Sequence, residues 1–534
     1  MKTFGVMIDL SRNGIMKPEE VKNFAKILSS FGYNMLQLYT EDTYKVENEP
    51  YFGYMRGSYT KEELKDIVSY CNSIGMEVVP CIQTLAHLSQ IFLWEPYKPL
   101  NDCKDILLAG EERTYTLIEN MFKTLRECYT TDKIHLGMDE AHMLGLGKYL
   151  DKHGYSNRFD ILLEHLKKVL AIAKKYGFKP MMWSDMFFRL VNKGEYTPKN
   201  KNTAKEMKNK TPKDVALVFW DYYRLNKTFY REMLQIHQQF DNEIWFAGGA
   251  WSWKGFAPKN DLTLATMKPA MAVCREMQVE NVLITMWGDN GKECSFYALL
   301  PSLYAVRCFY DGVTDMRTIK AAFNALTGEK YDVLKALDLP NKIGTGKKPT
   351  AGTLCKHALY SDPFLGFLDS TMSEDWAKTY KAYAKRLSRY AKESQYSYIF
   401  ETLSQLCKTL SYKLVLGIKT RRAYKANDIE GLKGIIADYK RTEIELKRFI
   451  KIFRSLWFKE NKPHGFEVQE QRLGGLLLRI QSCRSRLEDY IEKRIDCIPE
   501  LEEELLDFCG NEDGFLVKNI SYNDWSKTIS PNVV

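Results

Sequence analysis

Residues 134–142 read IHLGMDEAH, an apolar run that ends in two adjacent carboxylates, Asp139 and Glu140, flanked by His135 and His142. As a bare dipeptide such a pair is usually a solvated surface feature. At the mouth of a barrel, past the end of a strand, repulsion and partial burial push one pKa upward, giving a proton donor beside an ionised neighbour. Other apolar runs close on residues of similar promise: Asp9 and Arg12, Glu41 and Asp42, Gln83 with His87 soon after, Trp183 and Asp185, Trp220 and Tyr222, Trp251 and Trp253, and Trp287 with Asp289. An aromatic-lined cup with convergent carboxylates and an arginine suits a sugar, whose C–H faces stack on rings while its hydroxyls need fixed polar partners.

Positioning such residues together requires a repeating scaffold. Eight strand candidates, at 4–11, 35–42, 77–84, 133–140, 179–186, 215–223, 243–253 and 281–290, alternate with amphipathic segments such as 18–32 and 60–75. Alternation of this kind implies a parallel sheet covered by helices. Eight units in about three hundred residues fit a closed (β/α)8 barrel, and no glycine-rich GxGxxG turn follows the first strand as an open dinucleotide-binding sheet would require. In such a barrel the working residues come from the C-terminal ends of the strands. The chain thus reads as an α/β catalytic barrel over 1–325 followed by an α-helical domain over 326–534. In that domain a loop-like stretch spans 341–353, and Leu473, Leu477, Ile480, Leu487 and Ile491 repeat at helix-packing intervals.

Composition narrows the class. An apolar fraction of 45% and a charged fraction of 27% over 534 residues suit a soluble globular protein of two domains. The net charge of +9 is spread over surface helices, which argues against a nucleic-acid partner. No export signal or membrane span is visible, and twelve cysteines without a Cys-x-x-Cys pair suit a reducing compartment, so a cytoplasmic location is expected.

The His-x-Gly-x-Asp-Glu string at 135–140, the arginine after strand one, the histidine soon after strand three and the tryptophans at strands five to eight together resemble family 20 glycoside hydrolases, the β-N-acetylhexosaminidases. The resemblance covers roughly residues 1–312 and implies a (β/α)8 barrel. It implies hydrolysis of terminal, non-reducing β-linked GlcNAc or GalNAc by a retaining mechanism in which the substrate's 2-acetamido group replaces an enzyme nucleophile. Glu140 is then similar to the family's general acid and Asp139 to the residue that accepts the acetamide N–H. Tyr222 resembles the tyrosine that donates to the acetamide oxygen. Tyr223 is the alternative, although strand alternation would put Trp220 and Tyr222 on one face.

Arg12 looks like the arginine that holds the 3- and 4-hydroxyls, and Trp183, Trp220, Trp253 and Trp287 like the box around the ring, with Trp251 competing for the place of Trp253. His87 and His135 are expected to hydrogen-bond acidic neighbours or the sugar, and His142 to be structural. The chain departs from the family's pattern at three points. Met138 stands where members commonly have a second glycine, PCIQTLAH lacks the usual Pro-Gly before its histidine, and Asp289 is in a neighbourhood where many have glutamate. The chain also starts directly at strand one, which is similar to a subgroup lacking an N-terminal α/β domain.

No cofactor or metal is expected, and the partner is an oligosaccharide or glycoconjugate, with the helical region available for a homodimer interface. Two rivals remain. One is a metal-dependent amidohydrolase-type barrel using His135, Asp139, Glu140 and His142, disfavoured because no His-x-His ends strand one and no ligating lysine is placed for it. The other is a non-catalytic carbohydrate-binding barrel, which would not need the intact Asp-Glu pair.

Overall fold

The computed structural model describes residues 2–198, 207–343, 349, 351–506, 508, 526 and 529–532. Eight parallel strands close into a barrel: β1 (Thr3–Asp9), β2 (Met35–Tyr39), β3 (Glu77–Cys81), β4 (Lys133–His135), β5 (Lys179–Trp183), β6 (Ala216–Trp220), β7 (Ile244–Gly249) and β8 (Asn281–Met286). Each strand pairs with its neighbours in sequence. β1 and β8 close the ring through the register Thr3–Asn281 to Ile8–Met286. Runs such as Phe4–Asp9 and Met35–Tyr39 are buried throughout, because one face of each strand fills the barrel and the other meets helices.

The helices follow local signals. Pro18 opens the helix Pro18–Ser30, where its missing N–H costs nothing, and Thr60 with Glu63 forms a capping box before Lys61–Ser73. All eight strand candidates are present but shorter than their apolar runs. β4 stops at His135 because Gly137, Met138 and Glu140 have φ of 72°, 66° and 51°, outside any extended conformation. β6 stops at Trp220, so strand alternation does not govern Tyr222 and Tyr223, contrary to the expectation from sequence.

The chain divides into two compact units. The first comprises Met1–Ala250, Thr263–Trp287 and Leu303–Asp315; the second comprises Trp251–Leu262, Gly288–Ser302 and Met316–Val534. The second unit is built on long helices, including Asp375–Ala391, Ser397–Lys413, Ile429–Glu460 and Phe466–Ile491. On the last of these the buried stripe is Leu473, Leu476, Ile480, Cys483 and Leu487. Leu477 and Ile491, assigned to that stripe from sequence, are only half-buried. Within the loop-like 341–353 stretch, residues 344–348 and 350 lie outside the described residues. Among the described residues no helix is long and apolar enough to cross a membrane.

Candidate active site

The first unit gathers Asp139, Glu140, His87 and Arg12 beyond the C-terminal ends of β1 to β5. After β4 the chain remains held by both neighbouring strands: Thr84 N–H donates to Leu136 O at 3.1 Å and Trp183 N–H to Gly137 O at 3.2 Å. Gly137 is required here on two counts. Its φ of 72° is left-handed, and a Cβ would stand 2.1 Å from Gln83 Oε1. That close approach lets Gln83 Oε1 accept from Met138 N–H at 3.1 Å while Gln83 Nε2 donates to Asp139 Oδ1 at 2.8 Å. Met138 itself adopts a left-handed φ of 66°, a conformation glycine takes more easily, which gives a physical reason for the family's second glycine at this position.

Asp139 is buried, with its second oxygen, Oδ2, 3.2 Å from His87 Nε2. Burial alone would raise its carboxyl pKa, but the charge and hydrogen bond of His87, with the hydrogen bond from Gln83, outweigh that and hold it below the usual carboxylate range. His87 shows the reciprocal effect: burial opposes its charge, Asp139 reverses this, and the imidazole titrates at about 10. On the other side of the ring, Nδ1 lies 3.8 Å from Asp105 Oδ2, which also accepts from His87 N–H at 3.1 Å. At neutral pH the site therefore contains an imidazolium between carboxylates.

Glu140 differs from its neighbour. Its side chain is 42% exposed, with Oε2 3.9 Å from His87 Nε2 and Oε1 4.0 Å from an Arg189 terminal nitrogen. Asp139 is thus not a carboxyl that burial pushes upward. Glu41 beside Arg12 shifts that way, and so does Asp185, fully buried at the start of the helix Asp185–Val191 after β5. Burial raises its pKa first and the charge of Asp139 second, against Arg189.

Arg12 spans the ends of β1 and β2, 3.0 Å from Asp9 Oδ2 and 3.4 Å from Glu41 Oε1, with its guanidinium 4.9 Å from the Trp287 ring centre and 5.3 Å from that of Tyr39. Tyr39 donates to Glu41 at 3.0 Å and accepts from Gln83 Nε2 at 3.0 Å, so a continuous polar chain links Arg12 to Asp139. Trp183 packs 4.4 Å from His135 and 6.2 Å from Trp287. Trp220 stacks on Tyr222 at 5.2 Å. Tyr222 is buried, its hydroxyl bonded to the side chains of Thr285 and Trp287, whereas Tyr223 is exposed.

The model of the glycosyl hydrolase family 20 catalytic domain matches residues 4–282, and that of the Glycoside Hydrolase 20C C-terminal domain matches residues 329–519. The chain belongs to glycoside hydrolase family 20. It is 24% identical to human hexosaminidase D over 218 residues, 38% of this chain and 42% of that protein. It is 25% identical to a beta-hexosaminidase of Akkermansia muciniphila over 168 residues, 26% of this chain and 34% of that one. The match thus spans less than half the length of either relative. A solved GH20 exo-β-N-acetylglucosaminidase of Vibrio harveyi is similar at 13% identity and a TM-score of 0.47, covering 61% of this chain and 58% of that one.

Within this family 20 chain the first unit brings together Arg12, His87, Asp139, Glu140, Trp183, Trp220, Tyr222 and Trp287, with His135 behind Trp183. His135 Nδ1 accepts from Gly137 N–H at 3.1 Å, Nε2 has no hydrogen-bond partner among the described residues, and burial lowers its pKa to about 3. It is a neutral, packed ring. Trp253 and Asp289 belong to the second unit, where Trp253 stacks on Trp251 at 4.0 Å and Asp289 lies 3.8 Å from Lys254 Nζ. His142 is exposed, so the metal set His135, Asp139, Glu140 and His142 is replaced by another: His87, Asp139 and Glu140 present ligand atoms within 4.8 Å of one another. A metal there would have to displace the proton that Asp139 stabilises on His87.

Four supporting residues had no assigned role at the sequence level. Gln83 and Asp185 lie at strand ends, and that position was their only signal. Asp105 and Arg189 lie further along loops and helices, where spacing carries no information about the site.

Proposed function

We propose that this chain is an exo-β-N-acetylhexosaminidase that removes terminal β-linked GlcNAc or GalNAc by a retaining, substrate-assisted mechanism. The observation that carries this reading is the unequal environment of two adjacent carboxylates. Asp139 is buried and held ionised by His87 and Gln83, while Glu140 projects toward solvent. Asp139 accepts the acetamide N–H and stabilises the positive charge that develops as the acetamide oxygen attacks the anomeric carbon. Glu140 protonates the departing glycosidic oxygen, then deprotonates the water that opens the oxazolinium intermediate. Tyr222 donates to the acetamide oxygen, and Arg12 forks onto the sugar hydroxyls. Trp183, Trp220 and Trp287 wall the ring.

The test is hydrolysis of p-nitrophenyl β-GlcNAc and β-GalNAc with a thiazoline mimic of the intermediate as inhibitor. Turnover with competitive, tight inhibition is expected. Trapping of a covalent ester by a 2-fluoro sugar would sink the substrate-assisted step, and no turnover of either glycoside would sink the activity.

A further inference from the structure

Glu140 has a backbone that its own sequence does not favour. Its φ of 51° is left-handed, a region costly for a residue with a Cβ, and it follows Met138 at 66°. Such a conformation persists only where neighbours impose it. The group that meets it is Asp185, whose Oδ2 accepts Glu140 N–H at 3.2 Å. The same oxygen accepts from Arg189 Nε at 3.0 Å, one helical turn further on, so the two residues act as a unit. Arg189 is fixed in turn by donating to Gly194 O at 3.1 Å and by lying 5.6 Å from the Tyr196 ring centre. Its remaining terminal nitrogen reaches to 4.0 Å from Glu140 Oε1.

Asp185 has no surface exposure, and its Oδ1 has no hydrogen-bond partner among the described residues. A buried carboxyl with one oxygen unpartnered and two other carboxylates nearby is costly, and Arg189 offsets part of that cost. Helix capping does not account for it, since Asp185 lies inside the first turn and the Ser184 side chain makes no cap.

We propose that Asp185 and Arg189 are positioning residues for Glu140: the carboxylate clamps the left-handed main chain of the acid and the guanidinium steers its carboxyl toward the leaving group. Reversal of the backbone at Glu140 is what sends its side chain outward while that of Asp139 points in. This rests on the role of Glu140 as general acid given above. Neither residue touches substrate.

Leaving-group dependence tests it, because proton donation matters for a poor leaving group and hardly at all for a good one. The measurement is kcat/KM for phenyl and 2,4-dinitrophenyl β-N-acetylglucosaminides with wild type, Glu140→Gln, Asp185→Ala, Asp185→Asn and Arg189→Met. Asp185→Ala and Arg189→Met are expected to lose about 10- to 100-fold on the phenyl glycoside. On the dinitrophenyl glycoside the loss should stay within about threefold, as the acid is not needed there. Asp185→Asn should recover part of the phenyl activity, since its amide oxygen can still accept Glu140 N–H. Equal losses on both substrates, where Glu140→Gln does discriminate between them, would overturn the positioning role and leave Asp185 a structural carboxyl. If Glu140→Gln itself fails to discriminate, the acid assignment falls and the positioning role with it. Arg189→Met removes only a partly exposed side chain, so it carries the test if Asp185→Ala does not fold.

Discussion

Two charge clusters, one in each unit, are buried in different ways. In the second unit, Glu293 and Lys356 are sealed from solvent, both carboxylate oxygens meet the ammonium at 2.8 and 2.7 Å, and the ammonium also donates to Asn290 O at 3.1 Å. Arg479 likewise forks onto Asp362 at 2.6 and 3.1 Å. In the barrel, Asp139 pairs with His87, a base that can release its proton, Asp185 keeps one oxygen without a partner among the described residues, and Glu140 faces solvent. In the closed pairs each charge meets its partner within hydrogen-bond distance through two bonds. Open ones hold carboxylates in unequal states, which is what proton transfer requires. The contrast shows how buried charges can serve rigidity in one place and reactivity in another.

The sharpest way to break this comparison is Asp139→Asn. It should lower kcat/KM for an aryl β-N-acetylglucosaminide by about a hundredfold or more, the scale for losing a charge-stabilising group. Folding should suffer less, because His87 can become neutral once its counter-ion has gone. A large fall in melting temperature with activity per folded molecule unchanged would reverse the assignment.

Glu293→Gln is the opposite case and should cost about 3 kcal/mol of stability, since it strands a buried ammonium. Differential scanning calorimetry reads this as a lower melting temperature. Adding Lys356→Met should restore part of the loss, and a Glu293→Gln variant as stable as wild type would show the pair is not closed.

A smaller effect sharpens the barrel side through pH. His87 has a raised pKa, so the stability it contributes is fully present below about pH 6.5, its unfolded value, and is lost as pH rises through about 10. The melting-temperature gap between wild type and His87→Gln should therefore be widest near pH 6 and close above pH 10. A gap independent of pH would mean that packing, not charge, makes the difference.

Much of the fold was legible because parallel barrel strands must be apolar on both faces, and eight such runs recur at regular spacing. Their ends were less legible. Apolar residues continue past the last ladder bond at Met138 and Tyr222, so hydropathy extended β4 and β6 into turns set by backbone handedness. Arg12, Asp139, Glu140 and Trp183 could be picked out because each ends or follows a strand. Asp185 was visible as a strand-end residue, but its contact with Glu140 was not, since 45 residues separate the two and the contact forms only when β4 and β5 lie side by side. Leu476, rather than Leu477, on the helix Phe466–Ile491 makes the same point on a smaller scale: periodicity identifies a helix face to within one residue, and packing decides the rest.

Sequence by itself determined the barrel's strand count, the Asp-Glu pair and the glycine that lets Gln83 approach it. These depend on local pattern and on residue types that the chain carries wherever it folds. Only the tertiary structure decided which carboxyl is held ionised, which is pushed toward protonation and which faces solvent. A pKa is set by burial and by charges within a few ångströms, and His87, Asp139 and Asp185 become neighbours only when the barrel closes.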